Sequence, residues 1–415
     1  MNAGVVELVM TVLAILLLLA GHVIACVALV NRMHSTAVHY RLIKVFELPV
    51  GLWLLAAPII AWFARHLLLP RLISNGGGAT DTYFDGSPPL LIARLAALAY
   101  ACFCVGIAAK GIADWFRRRY GKPSPALRAI TCEHVDVAER LGRDLAGNDL
   151  GRWCARLPGN QIFEVELARK TLAVPRLPKS LEGLTIAHLS DLHFTGRIAR
   201  EYFEYQIDRT LDFRADMIVV TGDILDAREC LDWLPSTLGR LAAPHGVFFL
   251  LGNHDLRPGD PEGLRARLVE LGLTDVGNRV ERREIRGARV CIVGNEQPWF
   301  EPAPEISFSR APSAEDDDAE FPILLSHAPD QYAWAKRRRF PLVLAGHTHG
   351  GQIVFPVLGP IVAPSRYGVK YAGGVFSEDG TVMHVSRGMS GEEPLRWNCP
   401  PELPLLTLTT DQDDT

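Results

Sequence analysis

Hydrophobic and polar positions divide this chain into two unlike parts. Up to about Ile112, apolar residues run in three long blocks, Val5–Val30, Val45–Phe63 and Leu90–Ile112. Each is near the roughly 20 residues that a bilayer-spanning helix needs. Glu7, Glu47, Arg94 and Lys110 fall near the block ends, where long side chains reach the interface. His22 is more interior and reads as a packed or interfacial residue rather than a functional one. The pattern then shortens. Gln161–Ala173 alternates like a strand, and after it short apolar runs alternate with helical periodicity at Ala199–Arg214, Cys230–Ala242 and Pro261–Leu271. Gly287–Gly294 and Val382–Ser386 read as further strands. Continuous apolar runs between helices predict an α/β domain with buried sheets. Residues 114–160 read as a charged linker with a helical stretch near Val135–Leu145. The expected organisation is therefore a transmembrane region over 1–113, that linker, and an α/β domain over 161–412.

Five of the apolar runs end in the same way. Gly183–Ser190 leads into Asp191-Leu192-His193, and Ala215–Thr221 into Gly222-Asp223-Ile224-Leu225-Asp226. Gly246–Leu251 leads into Gly252-Asn253-His254-Asp255, and Phe321–Ser326 into His327-Ala328-Pro329-Asp330. Leu342–Ala345 leads into Gly346-His347-Thr348-His349-Gly350-Gly351. Sites in α/β domains gather where strands end. Taken alone, His347 and His349 could share one ion, because residues two apart in extended chain face the same side.

Composition narrows the chemistry. A net charge of −4 gives no basic field for nucleic acid. The eight cysteines are scattered without a Cys-x-x-Cys pair, so neither a disulfide framework nor a thiolate metal site is expected. Met1-Asn2-Ala3-Gly4 lacks the basic start of a signal peptide, which predicts that the first block is retained as a helix. Lys and Arg cluster after the first block (Arg32, Arg41, Lys44) and after the third (Arg117, Arg118, Arg119, Lys122, Arg128). Arg65 and Arg71 between the second and third are offset by Asp81 and Asp85 around Gly76-Gly77-Gly78. By the positive-inside rule the N-terminus lies outside, with the C-terminal domain cytoplasmic and the protein in the inner membrane. The acidic segment Ser313–Glu320 reads as a solvated loop.

The strand ends offer Asp191, His193, Asp223, Asn253, His327, His347 and His349, an oxygen-and-imidazole set suited to Mn, Fe or Zn. Seven donors are too many for one tetrahedral ion, and they suit two divalent metal ions if one carboxylate bridges. Two ions roughly 3.5–4 Å apart clamp a phosphate and lower the pKa of a bridging water. His254 is placed to touch phosphate oxygens or protonate a leaving group. Asp226, Asp255 and Asp330 are expected to orient histidines from behind. His188 sits inside a strand run and is read as packed. Arg387 and Arg396 are left open between substrate contact and structural pairing.

This constellation resembles the calcineurin-like metallophosphoesterases over roughly Leu184 to Thr410. Weaker similarity continues through Gly359-Pro360, Pro364-Ser365, Tyr371 to Gly374, Ser386-Arg387-Gly388 and Pro394 to Glu402, and looks most like a bacterial membrane-associated branch. The resemblance implies a double β-sandwich flanked by helices (αββα). It also implies that Asp191, His193 and His349 hold one metal, Asp223 bridges, and Asn253, His327 and His347 complete the second, with His254 acting at the transition state. The implied activity is a metal-dependent phosphohydrolase, with a metal-bridged hydroxide attacking the phosphorus of a phosphodiester, phosphomonoester or pyrophosphate. Members of that branch act on phosphodiesters and on lipid-linked UDP-sugar pyrophosphates, so a lipid-linked substrate is expected here. Three spans stand where that branch commonly has one anchor. The rival expectation is a non-catalytic membrane sensor or scaffold that binds metal or a phospholigand.

Overall fold

A computed structural model describes residues 3–68, 88–306 and 319–410. The Gly76-Gly77-Gly78 connector, with Arg71, Asp81 and Asp85, and most of Ser313–Glu320 lie outside the described residues. One compact unit gathers three long helices, and a second holds the chain from Lys122 on.

The three helices are α1 (Ala3–His34), α2 (Tyr40–Leu68) and α3 (Pro88–Tyr120). Each contains a stretch long and apolar enough to cross a membrane: Gly4–His34, Tyr40–Phe63 and Leu91–Tyr120. Within this unit His22 is buried, with Nδ1 at 2.6 Å from the Tyr100 hydroxyl and Nε2 at 3.2 Å from the Leu54 carbonyl. Of the two readings it is the packed one, its polar atoms hydrogen-bonded as burial demands.

The second unit opens with strand β1 (Leu127–Asp136), short helices α4 (Val137–Leu141) and α5 (Asp149–Ala155), then β2 (Glu164–Val174) and β3 (Thr185–Leu189). Next come α6 (Arg200–Asp212), β4 (Met217–Thr221), β5 (Val247–Leu250), α7 (Pro261–Glu270), β6 (Thr274–Asp275), β7 (Val280–Ile285) and β8 (Ala288–Asn295). The rest is β9 (Phe321–Ser326), α8 (Tyr332–Arg337), β10 (Leu342–Ala345), the pair β11 (Val354–Phe355) and β12 (Gly359–Pro360), β13 (Gly374–Glu378), β14 (Thr381–Val385) and β15 (Glu402–Thr410). They form a seven-stranded sheet, β1-β2-β15-β3-β4-β5-β6, and a six-stranded sheet, β13-β14-β10-β9-β8-β7.

Alternation along each strand feeds two cores, which is why the strands read as unbroken apolar runs. Met217 and Val219 of β4 pack between the sheets with Ile186, Phe248, Ile292, Ile323 and Leu344. Ile218 and Val220 face the other way, toward Phe203 and Ile207 of α6 and Leu268 of α7. On the outer face of the six-stranded sheet, Leu324 and Val343 pack with Tyr332 and Ala335 of α8. This is the expected αββα sandwich. Strands β3, β4 and β5 are mutually parallel, as are β8, β9, β10 and β14. The loops that follow β3, β4, β5, β9 and β10 carry the five motifs.

Two local expectations need correction. Residues 114–160 are folded rather than a linker: α3 continues to Tyr120, and β1 pairs antiparallel with β2 along its length. Strand β1 is exposed on both faces, so backbone pairing rather than apolar alternation defines it. The helix expected at Cys230–Ala242 is reduced to short 3₁₀ segments at Arg228–Trp233 and Leu238–Arg240. Pro235 cannot donate the helical hydrogen bond, which interrupts the helix there.

Candidate metal centre

The strand-end loops are tied to one another before any side chain is considered. Asp191 N–H donates to the Gly222 carbonyl (3.0 Å), His193 N–H to the Asp223 carbonyl (2.9 Å), and Gly346 N–H to the His327 carbonyl (2.8 Å). Backbone donors also aim the carboxylates. His254 N–H donates to Asp223 Oδ1 at 2.8 Å, and His347 N–H to both Asp191 oxygens at 2.9 and 3.0 Å. Asp191, His193, Asp223, His347 and His349 all have φ between 51° and 72°. Non-glycine residues seldom adopt that left-handed region, and such backbone concentrates at functional sites. Close approach explains two of the motif glycines. A Cβ on Gly252 would lie 2.2 Å from Asp223 Oδ1, and one on Gly346 would lie 1.8 Å from Ser190 Oγ.

The seven expected donors come together. Ligand-capable atoms of Asp191, His193, Asp223 and His349 lie within 4.8 Å of one another, as do those of Asp223, His327 and His347, so Asp223 belongs to both groups. His193 Nε2 is 3.2 Å from His349 Nε2 and 3.6 Å from Asp223 Oδ2. His327 Nε2 is 3.2 Å from Asp223 Oδ2, 3.2 Å from Asn253 Oδ1 and 3.0 Å from His347 Nδ1. All but Asn253 and His349, which are partly buried, are buried.

The donor set fits a cation. His327 Nδ1 lies 2.7 Å from the Thr221 carbonyl, and His193 Nδ1 lies 2.9 Å from Asp226 Oδ2. Both partners only accept, so each ring commits its Nδ1 proton outward and turns Nε2 into the cluster. Asp223 Oδ2 is buried and accepts no well-formed hydrogen bond. Lone pairs thus converge from nitrogen and oxygen alike, and positive charge must sit among them. Protons can supply it: although burial pushes His193 and His327 down, Asp226 and Asp223 respectively win and hold them up to about 9. Burial likewise pushes Asp223 up, yet His327, His254 and His193 hold its carboxyl well below the usual carboxylate range. A divalent ion supplies the same charge by displacing those protons.

Asp226 holds two histidines at once. Its Oδ2 accepts from His193, and its Oδ1 lies 2.5 Å from His254 Nδ1, which leaves His254 Nε2 facing outward. The other two expected orienting acids do something else. Asp255 accepts from the backbone N–H groups of Ile224 (2.9 Å), Leu225 (2.8 Å) and Gly252 (2.7 Å), and so fastens one loop to another. Asp330 accepts from the Ser365 hydroxyl and from Arg366 N–H (3.2 Å). Neither meets a histidine, because each ends its motif on a 3₁₀ turn that carries the carboxylate toward backbone and hydroxyl donors.

Arg387 and Arg396 are structural. Arg387 pairs with Glu166 at 2.5 Å, and fully buried Arg396 donates to the carbonyls of His349 (2.8 Å), Arg387 (2.8 Å) and Ser390. Three neighbours of the centre escaped the sequence reading. Arg257 Nη2 stands 3.2 Å from His254 Nε2 and is gripped by Glu392 (2.7 and 3.1 Å). The Trp299 ring lies against His347 and His327, with centroids 4.8 and 5.4 Å apart. Arg257 was within reach of sequence reasoning, since it follows Asn253 by four residues on one short turn. Glu392 and Trp299 arrive from distant segments without a motif.

Comparison with known proteins agrees with this geometry. The family model for calcineurin-like phosphoesterases matches residues 184–351. The metallophosphoesterase YkuE of Bacillus subtilis is 31% identical over 252 residues, covering 59% of this chain and 85% of that protein. The phosphodiesterase YaeI of Escherichia coli is 26% identical over 232 residues, 54% of this chain and 81% of the relative. A zebrafish transmembrane protein with a metallophosphoesterase domain is 30% identical over 212 residues, 48% of this chain and 46% of its own length. The chain belongs to the calcineurin-like metallophosphoesterases. A phosphoesterase hydrolase role with divalent metals follows from that membership.

Proposed function

We propose that this protein is a membrane-attached phosphohydrolase with a two-ion centre. Asp191, His193 and His349 would hold one divalent ion, Asn253, His327 and His347 the other, and Asp223 would bridge them. When bound, such ions neutralise phosphate charge and supply a nucleophilic oxygen at neutral pH. The protein's own groups do the rest. Asp226 fixes the tautomers of His193 and His254 together, so His254 presents Nε2 to a phosphoryl oxygen or a leaving group. Arg257, held by Glu392, adds a guanidinium beside that nitrogen, where phosphate charge gathers. The observation that carries this reading is the convergence of lone pairs on the buried Asp223 oxygen from both donor groups.

The substrate class is a phosphate ester or pyrophosphate, and the membrane helices favour a lipid-linked one. The residues from Lys122 on form the catalytic domain, on the cytoplasmic face of the inner membrane, because Arg and Lys gather after the first and third helices. The test uses purified full-length chain with an aryl phosphodiester and an aryl pyrophosphate under Mn, Fe and Zn. Hydrolysis that needs metal is expected, with metal bound at two equivalents. An inert protein that still binds two equivalents of metal would instead make it a sensor.

A further inference from the structure

Beyond the ligand turn the chain does something unusual for a surface. The twelve residues Ile353 to Pro364 contain no charged or hydrogen-bonding side chain. They form the hairpin of β11 and β12, with Val354 opposite Pro360 and Phe355 opposite Gly359. Only Ala363 among them is buried. Phe355 is 37% exposed, Val357 67%, Leu358 56% and Val362 50%. At the base stands Trp397, 41% exposed, its ring edge-on to Phe355 at 5.9 Å. Single exposed apolar residues are ordinary, but a contiguous apolar tip marks a contact surface.

The hairpin is fixed to the metal centre. It begins at Gln352, directly after the turn His349–Gly351. Gly351 leaves no room for a side chain, since a Cβ there would lie 2.4 Å from Pro360. Val354 N–H donates to the Trp397 carbonyl at 2.9 Å, Trp397 N–H donates to Gln352 at 3.1 Å, and Asn398 donates to Val354 at 3.0 Å. Arg396, one residue before Trp397, holds the His349 carbonyl. The apolar tip and a candidate ligand therefore move as one piece.

We propose that this hairpin inserts into the interfacial layer of the bilayer and holds the metal centre at the level of lipid headgroup phosphates. The same chain carries three helices able to cross a membrane, so a bilayer is always at high effective concentration. Pro356, Pro360 and Pro364 bring no backbone N–H, which removes donors that lipid would leave unsatisfied. A tryptophan at the base suits the polar–apolar boundary. A second copy of the chain is the weaker occupant, because five side chains at a narrow tip cover well under the ~800 Å² per partner of a stable interface. Insertion stands apart from catalysis; the consequence, that the phosphate hydrolysed is lipid-borne, rests on the phosphohydrolase reading above.

The experiment reconstitutes the full chain in phosphatidylcholine–phosphatidylglycerol vesicles, with Leu358→Cys carrying a fluorophore. Cys102 and Cys132, the exposed thiols among the described residues, are changed to serine. Lipids brominated on their acyl chains should quench this label several-fold more than the same label at Glu262→Cys, a position 78% exposed on α7. Equal quenching overturns the proposal. So does protection from aqueous iodide that grows with protein density without quenching by brominated lipid, which would assign the tip to a second copy. In the activity arm, Leu358→Asp/Val362→Asp should lose at least about tenfold on a vesicle-borne phosphodiester while keeping its rate on a soluble aryl phosphodiester. Equal rates for parent and variant on both substrates overturn headgroup-level presentation. A parent inert on both substrates counts against the phosphohydrolase reading, and the quenching result still decides insertion.

Discussion

Two groups of buried histidines lie a few residues apart in this fold and are built on opposite principles. Between the sheets, His384 of β14 meets His188 of β3, Nδ1 to Nδ1 at 2.9 Å. Lys170 Nζ lies 3.0 Å from His384 Nε2 and also pairs with Glu402. Lysine can only donate, so His384 accepts at Nε2 and donates from Nδ1. His188 then accepts at Nδ1 and donates from Nε2 to Thr221 Oγ1 (2.9 Å), whose proton goes on to Ser190 Oγ (2.8 Å). Each contact pairs one proton with one lone pair. Burial, with a smaller contribution from the Lys170 charge, outweighs Glu402 and pushes His188 down to about 3. At the strand ends the arrangement is different: the Nε2 atoms of His193 and His327 turn toward Asp223 and further imidazoles, and Asp226 and Asp223 hold the two rings up to about 9 against burial. Thr221 joins the two groups, its hydroxyl in the inter-sheet chain and its carbonyl on His327. Neither His188 nor His384 has a positive φ, whereas His193, His347 and His349 do. Buried histidine is thus not itself a sign of a metal; imidazoles and carboxylates converging from several loops, most of them on left-handed backbone, are.

The largest effect separating the groups should come from Asp223→Ala. Loss of the one carboxylate common to both donor groups removes several kcal/mol of transition-state stabilisation, about 10³-fold or more in hydrolysis. Metal content by elemental analysis should fall with it. His188→Gln should leave metal content intact, and equal metal loss in the two variants would erase the distinction. Next is Lys170→Met, which leaves buried Glu402 with Arg387 as its remaining ion-pair partner among the described residues. Breaking such a pair costs on the order of 3 kcal/mol in urea unfolding, with the metal-dependent rate of the folded fraction unchanged. Asp226→Asn follows. It keeps the volume but weakens the hold on His193 and His254 together, and should lower activity or metal affinity about 10–100-fold. A variant whose kcat and metal titration both match the parent would show that Asp226 orients nothing.

What was legible in the chain follows the same division. The five strand ends could be read because each places its donors immediately after a continuous apolar run, and parallel strands bring such ends to one edge. The packed role of His188 followed from its place inside a run. Its partner could not be read, since His384 lies 196 residues away on the other sheet and nothing local distinguishes it. Strand β1 was hidden because neither of its faces is buried. Nearness in sequence points Asp255 and Asp330 at histidines, whereas backbone N–H groups and, for Asp330, the Ser365 hydroxyl reach their oxygens first. Arg257 and Glu392 form a pair across 135 residues, and only the folded geometry sets them beside His254.

The smallest effect tests the electrostatics most directly, because the two groups should give pH slopes of opposite sign. His188 has a folded pKa below its unfolded value near 6.5, so between about pH 6.5 and 3 the unfolded chain binds the extra proton. Its burial costs nothing above pH 6.5, and stability falls as pH drops through that window, by at most about 1.4 kcal/mol per pH unit. His327 has a folded pKa above its unfolded one, so in chelator-treated protein its contribution is full below pH 6.5 and is lost as pH rises through about 9. Urea midpoints across pH, taken as parent minus His188→Gln, should therefore show a difference confined to the acid side. Parent minus His327→Asn should show one confined to the alkaline side. Saturating Mn should flatten the alkaline slope, because the ion replaces the protons whose loss otherwise destabilises the fold. An alkaline slope that Mn leaves untouched would mean that the protons held by Asp223 and its neighbours do not occupy the place of a metal, and the two histidine groups would then differ in degree only.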